Sequence, residues 1–213
     1  MNWAEQRERM VERQLVKRGI KDLKVLSAMQ TIPREEFVPD EFRSHAYTDE
    51  PLPIGLAQTI SQPYMVALMA QCLMLSGDEC VLEVGCGSGY AAAVLSTLAA
   101  KVITIEMLPE LAERAEETLR RTGYSTNVLV VCGDGSMGYP EKAPYRAITV
   151  AAGAPKPPQA LLDQLDEGGR LVIPIGPHKN QELRLVGKTQ GRIESRIVTR
   201  CSFVPLNGEQ GWK

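Results

Sequence analysis

The run Val81-Leu82-Glu83-Val84-Gly85-Cys86-Gly87-Ser88-Gly89-Tyr90 constrains the fold of this chain more than any other segment. Val81, Leu82 and Val84 suit a short strand covered on both faces, as parallel strands are. The strand leads into a G-x-G-x-G turn, and Ala91 to Leu98 continues as a good helix former. That order brings bare backbone to a helix N-terminus, where unpaired N–H groups point outward and a small ligand can press close. The pattern overlaps the dinucleotide fingerprint G-x-G-x-x-G, which wants its third glycine at position 90. Position 90 is Tyr here, and the third glycine falls one residue early, at Gly89. A tight strand-to-helix turn with no ligand is the alternative.

The elements that follow favour a ligand. Lys101 to Ile105 reads as a second alternating apolar strand, and it ends in Glu106. An acidic residue about twenty positions after the first glycine, at a strand end, is where a ribose diol is held in such folds. A carboxylate only accepts hydrogen bonds, so it matches two adjacent hydroxyl donors. The alternative is a solvated strand-end charge, and on either reading Glu106 carries little of the core. Pro109 then opens a helix that Gly123 closes. Leu108, Leu111, Ala112, Ala115 and Leu119 form its apolar stripe. Val128 to Val131 makes a third strand, followed by Gly133-Asp134-Gly135. These three are either a plain turn or a place where Asp134 accepts from an adenine amino group.

A chain of 213 residues buries a sizeable core without disulfides or metals. Its net charge of −2, with no long Lys/Arg block, gives a nucleic acid no electrostatic footprint. The charged N-terminus has no apolar stretch of the secretory kind, and Ala91 to Ala100, the longest apolar run, is far too short for a membrane span. Five scattered cysteines without C-x-x-C spacing read as reduced, mostly buried thiols of a cytoplasmic protein. His45 and His178 lie far apart, so no metal site is expected. There is no G-x-S-x-G elbow for a serine hydrolase.

Along the chain, Asn2 to Lys17 reads as an amphipathic helix ending at Gly19, and Asp22 to Met29 as a shorter one that stops before Pro33. Phe37 to Gln62 is rich in proline and turn residues and reads as a long irregular segment, of the kind usually functional in a compact domain. A helix from Gln62 or Pro63 to Leu75 follows. Beyond the third strand come strand Arg146 to Val150, helix Gln159 to Leu165 and strand Arg170 to Ile175. A hairpin of Glu182 to Val186 and Glu194 to Thr199 precedes the tail Phe203-Val204-Pro205-Leu206. Strands alternating with helices predict an α/β fold: a doubly wound, mostly parallel sheet with an antiparallel C-terminal edge and added N-terminal helices. One domain over residues 1–213 is expected, with helices and a loop over 1–76, a ligand-binding core over 77–175 and strands and tail over 176–213.

With these elements placed, the chain resembles the protein-L-isoaspartate O-methyltransferases over nearly its whole length. The resemblance rests on Ile32 to Pro39 (IPREEFVP), Tyr47 to Gly55 (YTDEPLPIG), Gln58 to Met65 (QTISQPYM) and Val81 to Tyr90. Gly133-Asp134-Gly135 and the tail FVPL with Gly211-Trp212 add to it. Many S-adenosylmethionine-dependent methyltransferases share the glycine turn, which suits this spacing better than a dinucleotide does. The PLPIG and QTISQP pair is specific, because nothing in the general methyltransferase fold requires it.

The resemblance implies a repair enzyme that methylates the free α-carboxylate of L-isoaspartyl residues in damaged proteins and peptides, using S-adenosyl-L-methionine and releasing S-adenosyl-L-homocysteine. The methyl ester then collapses to a succinimide. By the same resemblance Ser61 is catalytic. Thr59, Ile60, Glu83, Gly85, Gly87, Ser88, Gly89, Glu106, Met107, Asp134 and Gly135 would hold the cofactor, and Pro53, Ile54, Ser61, Val204 and Leu206 the substrate. No metal, nucleic acid or membrane is implied, and a monomer is expected. Three departures stand out: Leu56-Ala57 where His/Tyr-Gly is more usual, Cys86 where Thr is common, and Arg146 where many members have Asp. The first would alter the substrate mouth and the last the polarity beside the cofactor.

This chemistry fits what the chain lacks. A carboxylate is already ionised at neutral pH and needs no strong general base, and the hard chemistry belongs to the cofactor. Ser61 suits a residue that donates one hydrogen bond to the reacting carboxylate, or else the N-cap of the helix opened by Pro63. Three other readings share parts of the pattern. A methyltransferase acting on RNA or a metabolite would not need PLPIG–QTISQP, a nicotinamide oxidoreductase is opposed by Tyr90, and a non-enzymatic binding module needs no substrate loop.

Overall fold

The computed structural model describes residues 2–213. Helix α1 (Trp3–Met10) starts at Asn2, whose side chain accepts the Glu5 N–H at 2.8 Å. The sequence predicts one helix to Lys17, but a wider π turn at Val11–Leu15 and a 3-10 turn at Val16–Arg18 intervene before Gly19 (φ 91°) ends it. Met10, Val11 and Leu15 stay buried through the widened turn, so apolar spacing alone does not separate the two forms. Helix α2 (Leu23–Thr31) is capped by Asp22, which accepts from the Lys24 and Val25 N–H groups.

The segment read as irregular is more ordered than expected. It is entered from a 3-10 stretch, Arg34–Phe37, and carries a second, Asp40–His45, and a small antiparallel hairpin of β1 (Leu52–Gly55) and β2 (Gln58–Ile60). The hairpin turns at Leu56 and Ala57, both left-handed at φ 52° and 58°. Such a turn normally advertises itself with Asn-Gly or Asp-Gly, and neither residue is present to signal it. Arg7 ties this segment to α1, donating to Tyr47 Oη at 2.8 Å and pairing with Glu35 at 3.1 Å, while Tyr47 donates to the same carboxylate. Helix α3 (Pro63–Leu73) has proline in its first turn and ends on Met74 in the left-handed region.

The main sheet follows: β3 (Cys80–Val84), α4 (Tyr90–Ser96), β4 (Lys101–Glu106), α5 (Pro109–Thr122), β5 (Val128–Cys132), β6 (Tyr145–Val150), α6 (Gln159–Asp163), β7 (Leu165–Ile175), β8 (Gln181–Thr189) and β9 (Arg192–Cys201). The strand order is β5-β4-β3-β6-β7-β8-β9, parallel through β7 and antiparallel beyond it. The last three strands are longer than the apolar pattern predicts. β7 begins at Leu165 and carries Gly168-Gly169 through an irregular pairing with β6. The β8–β9 hairpin extends further by backbone pairing, with its tip held to β7 by Lys188 Nζ donating to Leu165 O at 2.9 Å and the Gly191 N–H donating to Glu167 at 3.2 Å.

Strand alternation divides the core. Val81, Val102, Ala147 and Val172 face the helices α1 to α5, and Leu82, Val84, Ile103, Ile105, Ile148 and Val150 face α6 and Leu206 of the tail. The cysteines are less buried than expected: Cys86 is buried, Cys72, Cys80 and Cys201 are half-buried, and Cys132 is exposed. Among the described residues no helix is long and apolar enough to cross a membrane.

Candidate active site

The chain builds the sheet from β3 through β4 to β5 and then crosses back to lay β6 on the other side of β3, so the strand order reverses there. A crevice opens at the carboxyl ends of strands at such a switch point, and ligands of open α/β sheets bind there. The chain has a cleft at this place, with about 910 Å³ of empty space counting its open mouth. The ends of β3, β4 and β6 supply Val84 and Gly85, Ile105 to Leu108, and Ala151 and Ala152. Gln58 to Ser61 form a second wall and Val204 to Asn207 of the tail a third.

The glycine turn forms the floor. Gly85, Gly87 and Gly89 all have positive φ (90°, 56° and 85°), which L side chains rarely adopt. Gly89 caps α4, and a Cβ there would lie 3.3 Å from Leu119 and 3.4 Å from Ala115, so it lets α4 approach α5. Tyr90, the residue that breaks the dinucleotide pattern, is buried: its ring packs edge-on to Phe37 at 5.5 Å, and its hydroxyl donates to Met29 Sδ at 3.6 Å. Arg34 lies 5.0 Å above the same ring and donates from Nε to Ala46 O at 2.7 Å. Its two terminal nitrogens have no partner among the described residues, and burial pushes the guanidinium down to about 10.

Glu106 is more deeply set than a solvated strand end. It is 7 % exposed, and its two oxygens accept the Gly87 N–H at 2.8 Å and the Leu108 N–H at 3.1 Å. A carboxylate has about four acceptor sites, so capacity remains for a ligand's hydroxyls. Asp134 does not line the cleft. Its oxygens accept the Ser136 N–H at 2.9 Å and, from the tail, the Glu209 N–H at 2.8 Å. Gly135 does line it, and a Cβ there would meet Val84 Cγ1 at 2.4 Å.

Glu83 points away from the floor, into a smaller cavity between the sheet and helices α3 and α4 that Ser61, Thr149 and Ala151 also line. It is fully buried; Oε2 accepts from Thr104 Oγ1 at 2.6 Å, and Oε1 has no partner among the described residues. Burial pushes the carboxyl up to about 8, and nearby Glu106 adds to the rise. The Cys86 thiol is raised well above its ordinary value, first by burial and then by Glu83.

Ser61 is half-buried and lies one residue before Gln62, the N-cap of helix α3. Its hydroxyl makes no hydrogen bond among the described residues, so the capping role is not the one it plays. It stands where the cleft meets a second groove of about 740 Å³, and Thr59, Ala151 and Val204 border both.

Of the residues expected from the sequence, Thr59, Ile60, Ser61, Gly85, Gly87, Ser88, Glu106, Met107, Gly135, Val204 and Leu206 line the cleft. Gly89, Glu83 and Asp134 sit behind it, and two of the residues expected at the substrate lie elsewhere. Pro53 is exposed on β1, and Ile54 is buried with Cδ1 3.4 Å from where a Cβ on Gly87 would be. Arg146 is also displaced from its expected place beside the cofactor. It is exposed near the start of β6, and the cleft lies at the other end. Ala151, Ala152 and Asn207 were not expected. The first two follow a strand visible in the sequence, so the switch-point rule reaches them. Asn207 arrives by long-range pairing of the tail, Leu206 N–H to Gly153 O at 2.8 Å and Gly153 N–H to Val204 O at 2.8 Å, which leaves no local signal.

The family model described as protein-L-isoaspartate(D-aspartate) O-methyltransferase matches residues 5–211. The chain is similar to a protein-L-isoaspartate O-methyltransferase of Methanoculleus marisnigri, 52 % identical over 98 % of this chain and 94 % of the relative. A Marinobacter nauticus relative of the same name is 54 % identical over 97 % and 94 %. Among solved structures, a Plasmodium falciparum chain described as a protein-L-isoaspartate O-methyltransferase in complex with S-adenosyl-L-homocysteine superposes with a TM-score of 0.83. It is 27 % identical, over 94 % of this chain and 98 % of that one.

Proposed function

Since this chain belongs to the protein-L-isoaspartate(D-aspartate) O-methyltransferase family, we infer that it methylates the free α-carboxylate of L-isoaspartyl residues in damaged proteins and peptides, using S-adenosyl-L-methionine. The same reading has it act as a cytoplasmic monomer on protein and peptide substrates rather than on nucleic acid.

The residues present fit the cofactor. The left-handed glycine turn brings bare backbone to the cleft, and Glu106 keeps acceptor capacity beside it. Thr59, Ile60, Ser88, Met107 and Gly135 would close around the rest, with Gly89, Asp134 and Glu83 supporting from behind. When bound, S-adenosyl-L-methionine supplies a methyl group on a positively charged sulfur, which a carboxylate oxygen takes as the carbon–sulfur bond breaks.

What the chain adds is alignment and the exclusion of water. In-line placement of the reacting atoms is worth several kcal/mol of the barrier, and it asks for a hydrogen-bond donor rather than a base. The observation that carries the assignment of Ser61 is its unengaged hydroxyl at the meeting of cleft and groove. It donates to the substrate carboxylate and holds one oxygen toward the methyl group. Val204 and Leu206 line the cleft from the tail, and β1 supports the glycine turn through Ile54.

The test uses methyl-labelled cofactor and two peptides that differ only in aspartyl or isoaspartyl linkage. Label should enter the isoaspartyl peptide and leave as methanol in mild alkali, because carboxyl methyl esters are base-labile and methylated amines are not. The aspartyl peptide should stay nearly unlabelled, since misplacing a reacting group by about 1 Å costs ~100-fold. Alkali-stable label, or equal labelling of both peptides, would refute the reading.

A further inference from the structure

The groove beyond Ser61 runs between the end of the edge strand β9 and the β2–α3 connection, and its walls carry an uneven charge. Arg18 and Arg200 line it, and no carboxylate does. The Arg18 guanidinium lies 3.5 Å from the Tyr64 ring centroid and pairs with Asp49, so its position is fixed and its charge shared. Arg200 differs. It is exposed and in no ion pair among the described residues. Its cross-strand neighbour Glu182 has its carboxylate held by Arg184 at 2.7 Å.

A peptide whose isoaspartyl residue reaches Ser61 passes this wall with its flanking residues. The reacting carboxylate is the same in every substrate, so its own attraction to the arginines cancels between peptides. The flanking side chains do not cancel. Interfaces of one sign favour partners of the other and suppress like charge, in encounter rate more than in final affinity.

We propose that Arg200, with Arg18 behind it, selects substrates by charge: isoaspartyl sites flanked within a few residues by Asp or Glu are methylated faster than the same sites flanked by Lys. This rests on the methylation reading given above. Exposed charge pairs have modest effects, so the Glu-to-Lys ratio of kcat/KM should be about three- to five-fold at low ionic strength. It should shrink toward unity at about 0.5 M salt, where the screening length is only a few ångströms.

The experiment measures kcat/KM for isoaspartyl peptides of one length that carry Glu, Gln or Lys on either side of the damaged residue. Wild type, Arg200→Gln and Arg200→Glu are compared, with thermal melts establishing that each is folded. On at least one side the Glu-to-Lys ratio should exceed unity in wild type, approach it in Arg200→Gln and fall below it in Arg200→Glu. Should the reversal variant not fold, Arg18→Gln and the salt dependence of the wild-type ratio decide instead. A wild-type ratio near one on both sides, or a preference that these substitutions and salt leave unchanged, overturns the proposal. The Gln peptide separates the two levels. If wild type fails to methylate it, the reaction itself is misread and the charge selection falls with it; if it is methylated and the ratio is flat, only the charge selection falls.

Discussion

Thr104 donates its hydroxyl to one oxygen of the buried Glu83 carboxyl at 2.6 Å, and no described residue meets the other oxygen. The two stand side by side in the sheet, in register on adjacent strands, with Thr149 in register on the other side of Glu83. A carboxyl so placed keeps its proton at neutral pH.

A pH dependence of stability follows. Unfolded, Glu83 titrates near its ordinary 4.5, and folded it titrates at about 8. Between those values the native state holds a proton that the unfolded chain has released, so its stability falls as pH rises. The full contribution is present below about 4.5 and is gone above about 8, a loss on the order of 5 kcal/mol. Glu83→Gln removes the titration and keeps the shape. Its stability should fall less steeply than wild type between pH 5 and 8, and above about pH 8 it should be the more stable protein. Urea unfolding of both across this range measures the difference, and parallel curves would show that Glu83 ionises as easily folded as unfolded.

A second prediction joins cofactor binding to stability at Glu106. Its oxygens fasten the glycine turn through Gly87 and the start of α5 through Leu108. Glu106→Ala should weaken S-adenosyl-L-methionine by at least ~10-fold in calorimetry, since hydrogen bonds to charged groups are worth roughly 1.5–3 kcal/mol. It should also cost about 1–3 kcal/mol of stability by removing the charged acceptor of two half-buried N–H groups. Glu106→Gln keeps one acceptor oxygen and should lie between. An unchanged dissociation constant in the alanine variant would remove Glu106 from the ribose.

Sequence patterns reached the parts of this fold that are made locally. The glycine turn, the acidic end of β4 and the Pro109-to-Gly123 helix each carry their own residue signals, and each lies where it was expected. Long-range pairing carries no such signal. Asp134 reads as a cofactor residue from its place after β5, yet its carboxylate accepts a backbone N–H from Glu209, far along the chain. YTDEPLPIG falls in the segment read as functional and IPREEFVP carries the family resemblance, but Arg34, Glu35 and Tyr47 are largely engaged in packing α1 and Tyr90. Their identity is explained by burial as much as by chemistry.

A third prediction concerns the β1–β2 turn. Left-handed backbone costs a non-glycine residue about 1–2 kcal/mol, against which glycine loses more freedom on folding. Ala57, at φ 58° and exposed, bears that strain with no packing in return. Ala57→Gly should therefore stabilise the protein by ~0.5–1 kcal/mol, a rise of about 1–4 °C in melting temperature for a chain of this size. A lower melting temperature would mean that the alanine methyl contributes more than its backbone strain costs.

The last prediction sets Ser61 against its own helix. Had Ser61 been the cap of α3, its loss would cost about 0.5–2 kcal/mol. The cap is Gln62, and the Ser61 hydroxyl bonds to no described residue, so Ser61→Ala should leave the melting temperature nearly unchanged. Cofactor affinity should also hold, because the ribose and the glycine turn are gripped elsewhere. Turnover should fall by ~10-fold or more, as the substrate carboxylate loses the donor that keeps it in line. Ser61→Thr separates hydroxyl from geometry: it keeps the donor but adds a methyl group where cleft and groove meet, and it too should slow turnover. Single-turnover rates on an isoaspartyl peptide, with saturating cofactor, measure the step directly. Wild-type rates in both folded variants would take Ser61 out of the mechanism, whereas a rate lost in alanine and partly kept in threonine assigns the effect to the hydroxyl.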